Sequence, residues 1–111
     1  MRGRLTRISR FRHRAEIQEV TETQDDFGDP VKTWATVSTV PAAIEPMQGS
    51  ESFRSDQEIA KRPVRVLIRY RSDVTVEHRI KFGSRFFEIQ SVTDPDFRGR
   101  VLELMCEETH P

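Results

Sequence analysis

The sequence predicts an all-β fold, a small antiparallel barrel or sandwich of about six to seven strands in one domain spanning residues 1–111. Three observations lead to this prediction. Apolar and polar residues alternate with a period of two over much of the second half, which is typical of half-buried strands. Residues that favour turns separate the alternating runs. The length of 111 residues suits a single domain.

The first half of the chain predicts two strands joined by a turn. Residues 14–23 are strand-like, with Ala15 and Ile17 on one face. The stretch 24–30 is rich in Asp and Gly and ends in Pro, which predicts a turn. The apolar residues that follow have a mixed spacing, which indicates a bent or bulged strand, or a short turn leading into a strand that ends near Pro46. They are Trp34, Val37, Val40, Ala42 and Ile44.

The second half predicts four strands, of which the last three form an antiparallel meander. The runs are 64–71, 76–82, 86–92 and 101–107. Gly83 and Ser84 give a two-residue hairpin connection, since glycine tolerates a positive φ. The stretch 93–99, which contains Pro95 and Gly99, predicts a further turn. In the first of these strands, the face opposite the apolar one is mostly basic.

Residues 46–63 interrupt the strand pattern with a polar excursion. We expect a long exposed loop, or a loop with a short helix from about Ser52 to Ala60. Loops of this length are uncommon in compact domains and are often functional. The alternative is a crossover without function between two sheet edges.

The charges cancel, but they are unevenly distributed along the chain. There are 18 basic and 18 acidic residues, so net charge gives no general attraction to nucleic acid or membranes. Residues 1–13 form a basic N-terminal arm, and no acid precedes Glu16. This arm could contact phosphate or an acidic protein surface, or be a solvated terminus. Its arginines are Arg2, Arg4, Arg7, Arg10 and Arg12, and Arg14 follows them.

The residue pattern predicts no enzyme, no metal site and no cofactor. The three histidines lie on different segments without the spacing of a metal site. The Asp clusters at 25–29 and 94–96 are better explained by turns than by calcium ligation. Cys106 lies within an apolar alternation, which predicts a buried structural thiol. No apolar run approaches the ~20 residues of a membrane helix.

Nucleic-acid binding by a small host β-barrel is the alternative function that composition leaves open. Arginines on the third strand, together with several phenylalanines, could imitate a platform for single strands. We expect most of these phenylalanines to lie in the core, and the arginines to be balanced by nearby glutamates. The residues concerned are Phe27, Phe53, Phe86, Phe87 and Phe97, with Arg65, Arg69 and Arg71.

Several local motifs, in this order and at these intervals, resemble the phage head–tail joining protein family of head–tail adaptors and head-closure (stopper) proteins. They are His13–Gln18; Asp26-Phe27-Gly28 followed by Trp34; Ala42–Pro46 with Gly49 and Glu51; Ile68-Arg69-Tyr70; Arg79-Ile80; Gly83; Phe87-Glu88-Ile89; Val92; and Leu102–Glu107. The resemblance covers residues 5–108. Pro41 and Ala15 depart from the pattern, where an aromatic and a larger aliphatic residue are expected.

The resemblance implies a virion structural protein that forms a homo-oligomeric ring, six- or twelve-fold, at the head–tail interface of a phage, a gene transfer agent or a prophage particle. Its expected partners are a portal-side adaptor protein and a tail terminator or tail-tube protein. DNA would pass through the channel without sequence-specific binding. We expect assembly in the bacterial cytoplasm, with no membrane partner. The candidate interface or channel residues lie in the long loop; they are Met47, Gln48, Glu51, Phe53, Arg54, Asp56 and Glu58.

Overall fold

The structure is a computed structural model that describes residues 10–47 and 61–109. Within these residues, six strands form one antiparallel sheet. The strands are β1 (His13–Gln24), β2 (Pro30–Pro46), β3 (Lys61–Arg69), β4 (Arg79–Phe82), β5 (Arg85–Thr93) and β6 (Val101–Thr109). Their order is β1-β2-β3-β6-β5-β4, and the sheet closes on itself because β4 pairs with β1. The predicted all-β antiparallel fold is therefore confirmed, as is the meander β4-β5-β6.

Two register shifts allow the strands to bend around the core. Ile17 pairs with Ser38 and Gln18 with Thr36, so Val37 is an extra residue on β2. A second shift on β5 leaves Gln90 without a counterpart on β6. Each extra residue sharpens the local twist of a strand. The bulge at Val37 also explains the mixed apolar spacing of β2, because the side chains change face there.

The core fills the interior of the closed sheet with alternating residues from the strands, and the alternation shifts by one at the bulge of β5. The largest fully buried side chains include Phe87, Ile17, Ile68, Ile80 and Leu104. Val74, from the connection between β3 and β4, joins the same cluster. The alternation in the sequence predicted these inward faces, because a strand places every second side chain on the same side.

A second, smaller apolar cluster lies on the outside of the sheet. Leu67 points away from the core on β3, opposite Ala43 of β2, and Phe11 covers both together with Val101. Phe11 is buried at 8% exposure. The end of the basic arm is therefore attached to the outer face of the sheet by an apolar side chain.

One predicted strand is shorter than expected. Residues 76–78, expected at the start of the strand ending at Phe82, form a turn, and β4 begins only at Arg79. The amide of His78 donates to the carbonyl of Thr75 at 3.1 Å, and the amide of Thr75 donates to Nδ1 of His78 at 3.1 Å. These local bonds satisfy backbone groups that a strand would have paired, so His78 closes a turn and is not the strand residue we expected.

Candidate interaction surface

The long loop and the basic arm, which the sequence identified as candidate sites, lie mostly outside the described residues. Met47 is described and half-exposed, and its amide donates to the carbonyl of Pro63 at 3.0 Å. Arg10 and Arg12 are described and exposed. The remaining candidates lie outside residues 10–47 and 61–109: Gln48, Glu51, Phe53, Arg54, Asp56, Glu58, Arg2, Arg4 and Arg7.

The described ends of the long loop show which strands it connects. It connects β2 to β3, which are adjacent antiparallel strands paired as far as Pro46 and Val64. Strand β3 already begins at Lys61, so the predicted boundary at Pro63 is two residues too late. The excursion is therefore an insertion in a hairpin connection, and the alternative of a crossover between sheet edges is wrong.

The ends of β1 and β2 nearest their turn form a two-stranded ribbon, residues 19–37, that extends beyond the closed sheet. Strand β4 pairs with β1 only from Glu16 to Gln18, and β3 pairs with β2 only from Ala42 onwards. The two strands of the ribbon therefore pair with each other and with no further described strand. Five of the ten exposed large apolar side chains in the described residues lie on it: Val20, Phe27, Val31, Trp34 and Val37.

The tip of the ribbon is a well-bonded turn that presents one aromatic side chain. The carboxylate of Asp25 accepts from the amides of Phe27 at 2.8 Å and Asp29 at 2.9 Å. Gly28 adopts φ 84°, a conformation that glycine takes without the steric cost of a side chain. Phe27 is 88% exposed at this tip. The predicted turn, which includes Phe27, is confirmed.

An arginine held between two aromatic rings fixes the root of the ribbon. The guanidinium carbon of Arg79 on β4 lies 4.2 Å from the ring centroid of Trp34 and 4.2 Å from that of Phe86. Its Nε donates to Oε1 of the buried Gln18 at 2.8 Å. Burial lowers the pKa of Arg79, and the nearby charge of Glu88 acts in the opposite direction. Contacts with two rings and a hydrogen bond at Nε leave this cation little rotational freedom.

Further hydrogen bonds connect the ribbon's root to the closed sheet. Nε2 of Gln18 donates to Oγ1 of Thr36 at 3.3 Å, and that hydroxyl donates to Oε1 of Glu16 at 2.7 Å. A depression of about 410 Å³ lies beside the stack, lined by Trp34, Arg79 and Phe86 among other residues. The root therefore combines fixed polar contacts with partly exposed aromatic surface, a composition common at protein–protein contacts.

Carboxylates pair with two of the arginines expected on the basic face of the third strand. Arg65 donates to Glu45 at 2.9 Å and to Glu103 at 3.0 Å, and the hydrogen bonds to these two carboxylates raise its pKa. Arg71 forms a two-pronged pair with Asp73, whose pKa it lowers to about 2. The pairing of Arg65 with Glu103 confirms the expected balancing by a glutamate, whereas Arg71 is balanced by an aspartate beyond the end of β3. Both pairs weaken the case for a phosphate-binding face.

A second exposed aromatic lies on the turn between β5 and β6. Phe97 is 90% exposed and adopts φ 56°, which is unusual for a bulky side chain. Its amide donates to the carbonyl of Asp94 at 3.1 Å, and the carboxylate of Asp94 accepts from the amide of Gly99 at 2.9 Å. Of the four described phenylalanines that we considered as platform residues, only Phe87 is buried, so the expectation that most of them lie in the core is wrong. Phe53 lies outside the described residues.

The described residues carry few features of a reactive site. Cys106 is buried, as predicted, and burial raises its pKa to about 12. Among residues 10–47 and 61–109, no group of three or more His, Cys, Asp or Glu side chains could hold a metal ion. No helix in that part of the chain is long and apolar enough to cross a membrane.

Comparison with known proteins identifies the family. The family model of the phage head completion protein matches residues 6–109. The chain belongs to this family. It is similar to the head completion protein gp7 of Enterobacteria phage HK97, with 29% identity over 103 residues, 88% of this chain and 92% of that protein. The predicted head–tail joining family is thus confirmed, and with it the role of a structural subunit of the virion at the head–tail interface.

Two solved structures share the fold. One is the solution structure of protein SF1141 from Shigella flexneri 2a, at 32% identity, a TM-score of 0.70, and coverage of 93% of this chain and 96% of that one. The other is a chain from the virion of a native gene transfer agent particle, at 24% identity, a TM-score of 0.70, and coverage of 98% of both chains. At 24% identity, the similarity to this second structure shows a shared fold only.

Sequence reasoning missed both the ribbon and the Arg79 stack. The apolar residues Val31, Trp34 and Val37 are spaced by three, which departs from the alternation of a half-buried strand. That departure was the available sign that these side chains do not enter the core. The stack left no comparable sign, because its members come from three strands.

Proposed function

We propose that this chain forms a ring of identical subunits between the portal-side adaptor and the tail, and that the ring closes the DNA-filled head. The observation that carries the proposal is the match of residues 6–109 to the head completion family. A ring needs two different surfaces on each subunit, because each copy contacts its neighbours head to tail. High charge with zero net charge suits such contacts, since complementary patches select the correct register.

We further propose that the excursion between β2 and β3 contacts the adaptor or closes the channel. The residues assigned to it are Met47, Gln48, Glu51, Phe53, Arg54, Asp56 and Glu58. Support comes from the described ends of the loop, where the hydrogen bond from Met47 to Pro63 holds the two strands side by side. A segment that leaves and re-enters the sheet at one point can reach a distant surface without straining the fold.

The same geometry provides the test. Replacing residues 48–60 with a short glycine–asparagine turn joins strands that are already neighbours, so the closed sheet should remain folded by circular dichroism. We expect particles carrying this variant to lose DNA retention or tail attachment, observed by electron microscopy of the particle neck. Fully joined, DNA-filled particles would show that the excursion has neither role.

A matched variant separates the loop's chemistry from its length. Exchanging the seven assigned residues for serine keeps the chain length and removes the charged, aromatic and other assigned side chains. If these side chains contact the adaptor or close the channel, particles carrying the substituted loop should lose DNA retention or tail attachment, as particles with the shortened loop do. A symmetry-free reconstruction of the neck would also give the copy number, and a neck without this chain would overturn the proposed ring.

A further inference from the structure

The ribbon of residues 19–37 exposes apolar surface for which its own subunit supplies no described cover. Val20, Val31, Trp34 and Val37 are each more than one-third exposed, and Phe27 at the tip is almost fully exposed. A two-stranded ribbon is marginally stable in water unless it packs against something. Its open strand edges also carry backbone groups that further contacts could satisfy. The ribbon therefore has the properties of a docking element.

The direction of the ribbon is set before any partner binds. Trp34 of the ribbon stacks on Arg79, which stacks in turn on Phe86 of β5. Gln18 and Thr36 connect the root further through side-chain hydrogen bonds. An element ordered in advance loses less conformational entropy on binding, so the same contacts give a higher affinity.

The charge of the ribbon indicates what it meets. It carries five acids, Glu19, Glu22, Asp25, Asp26 and Asp29, and one base, Lys32. The opposite charge lies at the start of β1, where Arg10, Arg12 and Arg14 are exposed. These three arginines end the stretch of six that precedes the first acid of the chain. One chain thus presents an acidic projection and a basic surface.

The acids at the tip of the ribbon lie too far from the arginines to neutralise them within one subunit. β1 runs from His13, next to the arginines, to Gln24, next to the acidic turn, and spans 12 residues. At about 3.3 Å per residue its ends lie roughly 36 Å apart. This exceeds the Debye length of about 8 Å at physiological salt several times over. Phe11, buried on the outer face over Leu67, keeps Arg10 and Arg12 at the far end.

We propose that the ribbon of each subunit docks on the Arg10–Arg14 surface of the next copy of the same chain, with Phe27 and the acids of the tip against the arginines. The inference rests on the ring proposed above and names the contact that closes it. A contact between two different patches of identical subunits repeats by rotation, so it generates a ring. Opposite charges on the two patches oppose docking in the reverse orientation.

Charge reversal tests the pairing. Asp25 is left unchanged because it bonds the turn, and Asp26 and Asp29 are both changed to lysine. A second variant carries Arg10→Glu and Arg12→Glu. Each variant alone should lower the yield of joined particles by about tenfold or more, since reversed charges at a contact cost several kcal/mol. Combining the two should restore most of the yield.

A control carries the same charge change elsewhere: Asp73→Lys with Glu107→Lys. It should leave the yield of joined particles unchanged, because both acids lie away from the ribbon, the arginine surface and the depression beside the Arg79 stack. A loss equal to that of the ribbon variant would show that net charge alone is responsible, and would overturn the proposal. Failure of the combined variant to restore joining would overturn it as well.

Cross-linking in particles identifies the occupant directly. Asp26→Cys and Arg12→Cys are introduced together and treated with a short bismaleimide, while the buried Cys106 stays unreactive. We expect a ladder of multimers of this chain, whereas either substitution alone should give no ladder. Monomer only, or a conjugate with another virion protein, would overturn the docking proposal. Particles whose necks lack the chain altogether would instead overturn the proposed ring.

Discussion

The Arg79 stack should contribute measurably to stability, and Arg79→Met is the change that tests it. Methionine keeps most of the side-chain length and apolar surface while removing the cation and its donor. The substitution eliminates the two ring contacts at 4.2 Å and the 2.8 Å hydrogen bond to Gln18. It also leaves Oε1 of the buried Gln18 without this donor.

The expected loss follows from these three contacts. Each cation–π contact at a partly exposed site contributes about 0.5–1 kcal/mol. A hydrogen bond to a charged group contributes about 1.5–3 kcal/mol, and the lower end applies to a half-buried guanidinium. Allowing for the apolar contact that methionine retains, we expect the free energy of unfolding to fall by about 2–3 kcal/mol. For a chain of this length that corresponds to a fall in Tm of roughly 8–12 °C.

Equilibrium urea unfolding followed by circular dichroism measures the loss. Fluorescence of the single tryptophan gives a second probe at the stack itself. The matched control is Arg71→Met, which breaks an exposed two-pronged pair with Asp73 and should cost less than about 1 kcal/mol. A double-mutant cycle with Trp34→Leu should give a coupling of about 0.5–1 kcal/mol to Arg79.

Two outcomes would refute this account. If Arg79→Met destabilised the protein no more than Arg71→Met, the stack would be no stronger than a solvated ion pair. If the cycle gave zero coupling between Arg79 and Trp34, the ring contact would contribute nothing, and the root of the ribbon would not be fixed in the way we describe.

Three further changes test the core, the buried thiol and the strained turn. Phe87→Ala should lower the free energy of unfolding by about 3–5 kcal/mol in urea, because Phe87 is fully buried; a loss below 1 kcal/mol would contradict its central position. Burial raises the pKa of Cys106 to about 12. The thiol of the folded chain therefore keeps a proton that the unfolded chain releases above pH about 9. The free energy of unfolding should fall as pH rises from about 9 towards about 12. Cys106→Val should remove that part of the pH dependence. Phe97→Gly should raise stability by about 0.5–1 kcal/mol in the same assay by relieving the positive φ, whereas Phe97→Ala should not.

The sequence predicted the strands, their inward faces and the main turns, because these depend on local chemistry. A period of two assigns each side chain to one face of a strand. A shift of the strand pairing by one residue would expose the side chains that form the core. The Asp-rich turn at 24–30 and the Gly83 connection depend only on the backbone conformations that their own residues can adopt. Local turn chemistry also caused one error, since the bonds between Thr75 and His78 replaced the expected beginning of β4.

Tertiary structure decided where strands have partners and where they do not. Gln18 and Trp34 are far in sequence from Arg79 and Phe86, and the two pairs meet only because β4 pairs with β1 to close the sheet. The same closure leaves β1 beyond Gln18 without a second neighbour, so the ribbon projects. Alternation shows which face a residue takes, but not whether another strand or a neighbouring molecule covers it. For that reason the sequence identified the family and the core, whereas the exposed Trp34, Phe27 and Phe97 emerged only from the structure.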